Sequence, residues 1–161
     1  MTADDIVVVN PAGDVVAGKG VPTTERYLHR AVMEAYDDIA VCVHSHAVYA
    51  SMFALTHQDI PTCIDEFSLY LGGGIRCTEY APSGTPELAE HVVRSLKDRG
   101  AALIANHGLV AVGSTMEKAL HNTALVERTA KIVWGAKQLG TVHPLSEDAN
   151  ANFAAAYPLG R

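Results

Sequence analysis

The chain alternates between short apolar runs and longer segments in which apolar residues recur every three or four positions. An uninterrupted apolar run indicates a strand that is buried on both faces. Strands are predicted at 6–9, 15–17, 39–44, 101–106 and 108–112, which consist of such runs or begin with them, and also at 75–78 after the loop Gly72-Gly73-Gly74. The helical period predicts helices at about 25–36, 47–55, 86–98, 115–138 and 144–157, whereas 62–71 fits either state. Helices that alternate with strands predict a layered α/β sandwich around a mixed sheet.

Residues at the ends of these segments sharpen the predicted helix boundaries. Thr23 or Thr24 is expected to cap the helix at 25–36, with Glu25 in its first turn, because a threonine hydroxyl can accept a free backbone N–H there. Ser114 is expected to cap the longest helix, and Gly140 to end it.

Composition narrows the class of protein. A chain of 161 residues with 48% hydrophobic and 19% charged residues can build one sizeable core, so we interpret residues 1–161 as a single domain. The net charge of −6 and the scattered basic residues argue against nucleic acid as a partner. The apolar runs are far shorter than the roughly 20 residues of a membrane helix, so no membrane partner is expected. Three cysteines without a C-x-x-C pair predict a reduced, cytoplasmic protein.

Three histidines lie at the ends of two predicted strands. His44 and His46 close the run at 39–43, and a spacing of two places both side chains on one face of a strand. His107 follows the run at 101–105. If the two strands are neighbours, the three imidazoles converge, and three histidines with one open position form a common catalytic zinc site. A His-x-His pair alone is a weak signal, and each of the other histidines is interpreted as an ordinary surface or core residue.

The segment Thr23-Thr24-Glu25 offers two hydroxyls and a carboxylate at a helix start. Backbone N–H groups and hydroxyls in that position can bind a phosphate, and a carboxylate near a metal can act as a general acid and base. Simple helix capping explains the same residues, and both roles can hold together.

Four segments together resemble the class II aldolase/adducin family. They are Pro22-Thr23-Thr24-Glu25 with His29 four residues later, His44-Ser45-His46, Asn106-His107-Gly108-Leu109, and Tyr80-Ala81-Pro82-Ser83-Gly84-Thr85 before a Glu-Leu-Ala helix. Their order and spacing are similar over nearly the whole chain. The resemblance implies a three-layer α/β/α sandwich with a central mixed, largely antiparallel sheet. It also implies a homotetramer with active sites at subunit interfaces.

The resemblance further implies a zinc-dependent aldehyde-lyase of carbohydrate metabolism. His44, His46 and His107 would bind Zn²⁺ or another divalent metal, Glu25 would be the catalytic acid/base, and Thr23 and Thr24 would contact the substrate phosphate. The expected reaction is retro-aldol cleavage of a sugar phosphate of the L-fuculose 1-phosphate type. The products would be dihydroxyacetone phosphate and an aldehyde, formed through a metal-stabilised enediolate.

Two departures from the family pattern concern the substrate. Family members carry a further N-terminal segment with a phosphate loop, so the resemblance implies a truncated and poorly active chain. The aldolase tyrosine that protonates the intermediate corresponds to Asp65, which is followed by Glu66; an exposed loop explains these two carboxylates equally well. The epimerase aspartate corresponds to Leu69, which weakens an epimerase function. Tyr157 is the candidate for a C-terminal catalytic tyrosine.

Other functions of the family stay open from the sequence. A decarboxylase or a dehydratase would use the same metal, and an adducin-like interaction module would use no metal at all. The presence of all three histidines together with Glu25 favours an enzyme over the module.

Overall fold

A computed structural model of the chain describes residues 2–156. A short 3₁₀ helix, Ala3–Asp5, precedes the main elements. The strands are β1 (Val8–Val9), β2 (Val15–Ala17), β3 (Val41–Ser45), β4 (Ala101–Ile104) and β5 (Gly108–Gly113). The helices are α1 (Arg26–Ala35), α2 (Val48–Leu55), α3 (Asp65–Leu71), α4 (Pro86–Leu96), α5 (Met116–Leu139) and α6 (Glu147–Ala156). Among the described residues, none of the helices combines the length and the apolarity that crossing a membrane requires.

The central sheet has three antiparallel strands in the order β3-β5-β4. The register pairs Ser45 with Leu109 and Ile104 with Gly108, so the ends of β3 and β4 meet at the start of β5. The strands that carry the histidines are therefore not direct neighbours, because β5 lies between them. Strands β1 and β2 form a separate antiparallel hairpin.

Helices cover both faces of this sheet, which produces the three-layer α/β/α sandwich. Along β4 and β5, successive buried side chains alternate between two cores, as the two-residue period of a strand requires. One core joins these strands to α1 and α4: Leu28, Val32, Leu88, Val92, Leu96, Ala102, Ile104, Val110 and Val112. The other joins them to α2, α3 and α5: Ala50, Phe53, Phe67, Leu71, Ala101, Leu103, Leu109, Ala111, Leu125, Val126, Ala130 and Val133.

The segment at 75–78 does not form the predicted strand. It makes only isolated bridges, one between Ile60 and Ile75 and one parallel bridge between Cys77 and Leu103. A side chain interrupts the ladder, because the N–H of Cys77 donates to Oδ1 of Asp59 at 2.7 Å. The ambiguous segment at 62–71 contains helix α3.

Two predicted helix caps are wrong. Helix α1 begins at Arg26, and Glu25 occupies its N-cap position without a side-chain cap bond; the Thr23 hydroxyl accepts the N–H of Glu25 instead. Thr115, rather than Ser114, caps α5, because its extended backbone lets Oγ1 accept the N–H of Lys118 at 3.2 Å. Gly140 ends α5 as predicted.

Candidate metal centre

The three predicted histidines meet at one end of the central sheet. Nε2 of His44 lies 3.2 Å from Nε2 of His46, and one ligand atom from each of the three residues lies within 4.8 Å of the others. The ring of His107 is centred 4.7 Å from that of His44 and 5.0 Å from that of His46. Within residues 2–156, this trio is the one group of histidine, cysteine or acidic side chains close enough together to hold a metal ion.

The sheet brings the histidines together through a close approach of two backbones. His44 lies in β3 opposite Val110, and His46 follows the last residue of that strand. Gly108 starts β5, where a Cβ atom would lie only 2.5 Å from the carbonyl oxygen of Ser45. A side chain at this position would push β3 and β5 apart, so the glycine of the Asn-His-Gly motif is required by packing.

His107 lies in the tight turn between β4 and β5. Asn106 has a positive φ of 57°, a conformation that asparagine tolerates better than most residues. Its N–H donates to the carbonyl of Ala54 at 3.1 Å, and its Oδ1 accepts from Nε2 of His57 at 2.6 Å. His57 is a hydrogen-bonded surface residue, as the sequence predicts, and its hydrogen bond to Asn106 supports the turn that carries His107.

A hydrogen bond to the backbone orients the His44 ring toward the cluster. Its Nδ1 donates to the carbonyl of Leu109 at 3.1 Å, which leaves the lone pair of Nε2 directed into the cluster. Burial lowers the pKa of His44 below its ordinary value, and the neighbouring His107 lowers it further. These effects outweigh the Leu109 carbonyl and the charge of Glu25, which favour the protonated ring. Three imidazoles whose ring nitrogens converge fit a divalent transition metal with an open coordination position.

Glu25 is buried beside this cluster. Its side chain is only 8% exposed, and Oε1 accepts a hydrogen bond from the hydroxyl of Ser83. Oε2 is also buried but has no described hydrogen-bond partner. The charge of Glu25 acts on both His44 and His29, raising the pKa of each against the effect of burial. The sequence places Ser83 in one of the segments that resemble the family, but it does not predict the contact between Ser83 and Glu25.

Thr23 and Thr24 are exposed in the turn before α1. Oγ1 of Thr23 accepts the N–H of Glu25 at 3.2 Å, so part of the anion-binding capacity of this turn is used internally. The loop at 82–85 packs on the same turn: Gly84 has a φ of +74°, and a Cβ there would lie 3.2 Å from the carbonyl oxygen of Thr24.

The structure does not bring the remaining predicted residues to the histidines. Asp65 is exposed in the first turn of α3, and the described contacts include no bond between its carboxylate and the cluster. Glu66 forms an ion pair with Arg128 on α5. Tyr157 lies outside the described residues.

The profile of the family described as "Class II Aldolase and Adducin N-terminal domain" matches residues 1–134. The chain belongs to this family. Two relatives show how this class II aldolase/adducin chain compares in length. A 5-deoxy-D-ribulose 1-phosphate aldolase from Bacillus thuringiensis serovar kurstaki is 31% identical over 94% of the chain and 70% of its own length. An L-fuculose phosphate aldolase from Escherichia coli is 35% identical over 82% of the chain and 61% of its own length.

A solved structure shares the fold of this class II aldolase/adducin chain. An L-fuculose 1-phosphate aldolase superimposes with a TM-score of 0.92 at 32% identity, covering 97% of this chain and 73% of that one. The chain therefore spans about two thirds of the length of the relatives that it matches. The expectation of an α/β/α aldolase-type sandwich is confirmed.

Proposed function

We propose that the protein is a metal-dependent class II aldolase, an aldehyde-lyase that cleaves a sugar phosphate to dihydroxyacetone phosphate and an aldehyde. The observation that carries this proposal is the convergence of three imidazoles with a buried carboxylate beside them. Membership of the class II aldolase/adducin family and the aldolase names of the two relatives support it.

His44, His46 and His107 are the proposed metal ligands, and Zn²⁺ suits a set of three imidazoles. A bound divalent ion supplies Lewis-acid stabilisation of negative charge on the substrate oxygens. The imidazoles hold their positions through the sheet and through the Leu109 carbonyl, so little rearrangement is needed on binding.

Glu25 is the proposed acid/base that exchanges a proton with the carbon next to the carbonyl, where the C–C bond is cleaved. When the C–C bond breaks, the carbon next to the carbonyl keeps the electron pair and gains a proton, and the cleaved hydroxyl carbon becomes the aldehyde. Oε2 of Glu25 is the atom available to hold that proton, because Ser83 already occupies Oε1. A buried carboxylate without a second partner is suited to exchange a proton in both reaction directions.

The remaining roles concern the substrate. Exposed hydroxyls support Thr23 and Thr24 as phosphate contacts at the start of α1. Asp65, at the position of the aldolase tyrosine that protonates the intermediate, and Tyr157 stay sequence-based candidates for a second proton-exchanging group; the described contacts of Asp65 do not join it to the histidine cluster. A substrate of the L-fuculose 1-phosphate type is proposed, and the 5-deoxy-D-ribulose 1-phosphate named for one relative belongs to the same chemical class.

A homotetramer is the proposed assembly, with helix α2 in a subunit contact. This helix is apolar on all sides, yet Val48, Met52 and Leu55 are exposed on its surface. A helix that is hydrophobic all round is normally buried, and this one begins two residues after His46. A partner subunit on this face would shield the metal centre. Free thiols at all three cysteines support the proposed cytoplasmic location.

Product analysis tests the proposed reaction. Metal-loaded protein is incubated with L-fuculose 1-phosphate or with 5-deoxy-D-ribulose 1-phosphate, and both carbon fragments are identified. We expect dihydroxyacetone phosphate and an aldehyde in equal amounts, with the activity lost after chelation and restored by Zn²⁺. Release of CO₂ or a dehydrated product would contradict aldol cleavage. A folded protein without affinity for any divalent metal would support the adducin-like module.

A further inference from the structure

Glu127 closes the N-terminus of the helix that follows His46. The backbone N–H groups of Tyr49 and Ala50 donate to Oε1 and Oε2 of Glu127 at 3.0 and 2.9 Å. Both oxygens of one carboxylate are therefore engaged by the first turn of α2. The carboxylate comes from α5, more than seventy residues later in the chain.

Helix α2 has no cap of its own. Its N-cap residue is Ala47, which offers no side-chain acceptor, and its first turn contains no acidic residue. The first N–H groups of a helix have no partner within the helix, and alanine is among the poorest N-cap residues. Glu127 supplies the missing acceptor, and its negative charge is favourable at the positive end of the helix dipole.

This cap lies next to a proposed metal ligand. Only His46 and Ala47 connect the last residue of β3 to the first residue of α2. The carbonyl of Ala47 accepts the N–H of Ser51 at 2.8 Å, so Ala47 moves with the first turn of the helix. A displacement of that turn would be transmitted to the backbone of His46.

The helix that carries Glu127 is fixed to the sheet. Val126 and Ala130, on either side of Glu127, are fully buried in the core that also contains Leu109 and Ala111 of β5. Glu127 thus ties the first turn of α2 to the layer that holds His44 and His107. This carboxylate therefore fixes the position of His46 relative to His44 and His107.

We infer that Glu127 is a positioning residue for the metal centre: it fixes the first turn of α2 and thereby the direction of the His46 imidazole. The inference rests on the proposed function, because it requires His46 to be a ligand. It assigns Glu127 no contact with the metal or the substrate.

A Co²⁺ titration of the chelator-treated full chain tests this inference. The d–d absorption bands report the affinity and the coordination geometry of the ion. We expect Glu127→Ala to bind Co²⁺ about 10- to 100-fold more weakly, as is typical when a group that orients a ligand is removed. Glu127→Gln keeps one oxygen acceptor, so its affinity should lie between those of Glu127→Ala and the parent.

Thr115→Ala is the matched control. It also removes a helix cap bond, the one from Oγ1 to the N–H of Lys118, but it acts at the end of the sheet where Val41 pairs with Gly113. We expect it to lower the thermal unfolding midpoint without changing Co²⁺ affinity or the spectrum.

Parent-like Co²⁺ affinity and spectra in both Glu127 variants would overturn the inference while leaving the metal site intact. An equal loss of affinity in Thr115→Ala would overturn it as well, because the loss of Co²⁺ affinity would then reflect the lower stability of the fold rather than the position of His46. If Glu127→Ala does not fold, Glu127→Gln decides between these results. A parent chain that binds no Co²⁺ would overturn the proposed function itself.

Discussion

The histidine region and the threonine region of the candidate site are held in different ways. His44 and His107 are anchored to strands through backbone hydrogen bonds and lie against the buried sheet. Thr23 and Thr24 are exposed in a turn. The one described hydrogen bond to their side chains is donated by the N–H of Glu25 to Oγ1 of Thr23. The proposed metal ligands are therefore held by the sheet, whereas the proposed phosphate contacts lie in an exposed turn with few hydrogen bonds.

Glu25 connects the two regions, and its substitution has the largest expected effect. Glu25→Gln keeps the shape of the side chain but removes its ability to exchange a proton. We expect kcat to fall by a factor of about 10² to 10⁴, the usual contribution of a general acid/base, with metal content unchanged. Steady-state kinetics and metal analysis check both points.

Glu34→Gln is a suitable control for the Glu25 substitution. Glu34 lies on the same helix and forms an exposed ion pair with Arg30 at 3.3 Å. Such a surface pair contributes little, so the control should retain the parent activity. An unchanged kcat in Glu25→Gln would exclude the proposed acid/base role.

A smaller effect is expected from the turn that carries His107. Asn106→Ala removes the hydrogen bond with His57 and places an alanine at a positive φ. Because both changes loosen His107, metal affinity should fall about 10- to 100-fold. The KM for the substrate at saturating metal should stay close to that of the parent, and isothermal titration with Zn²⁺ measures the affinity.

His57→Ala separates the two causes. It removes the same hydrogen bond but leaves Asn106 in place, so its loss of metal affinity should be smaller. Parent-like affinity in Asn106→Ala would mean that the turn does not need this brace.

The smallest effect is expected in the threonine region. Thr24→Val keeps the branched shape and removes one exposed hydroxyl. A hydrogen bond to a charged group contributes about 1.5–3 kcal/mol, and an exposed hydroxyl is expected at the low end of this range. The KM for the sugar phosphate should therefore rise about tenfold, without a change in metal affinity. Thr23→Val should also lower kcat, because Thr23 accepts the N–H of Glu25. Weakened metal binding in Thr24→Val would show that the two regions are not independent.

Local patterns predicted the layers of the fold and the residues of the histidine cluster. The two-residue period of β3 was enough to put His44 and His46 on one face, and the apolar run before His107 located the second strand. The strand order could not be predicted, because pairing on both sides of β5 depends on contacts across the whole chain. The cap of α5 was missed by one residue, since the backbone geometry at Thr115 decides it.

The supporting groups of the site could not be predicted from local sequence. Ser83 reaches Glu25 across 58 positions, and His57 reaches Asn106 across 49. Polar side chains such as these occur in many surface turns, and only the packed fold decides which of them meet. The histidines were recognisable because the His-x-His pair and His107 each follow an apolar run, whereas the residues that support them are common in surface turns.

Metal stoichiometry in His46→Ala tests whether the three histidines form the metal centre. His46 is exposed, so its replacement should leave the fold intact, and His121→Ala, another exposed histidine that stacks on Tyr70, serves as the control. We expect one Zn²⁺ per chain in the parent and in the control, and a loss of nearly all bound metal in His46→Ala. A full complement of Zn²⁺ in His46→Ala would contradict the three-histidine centre.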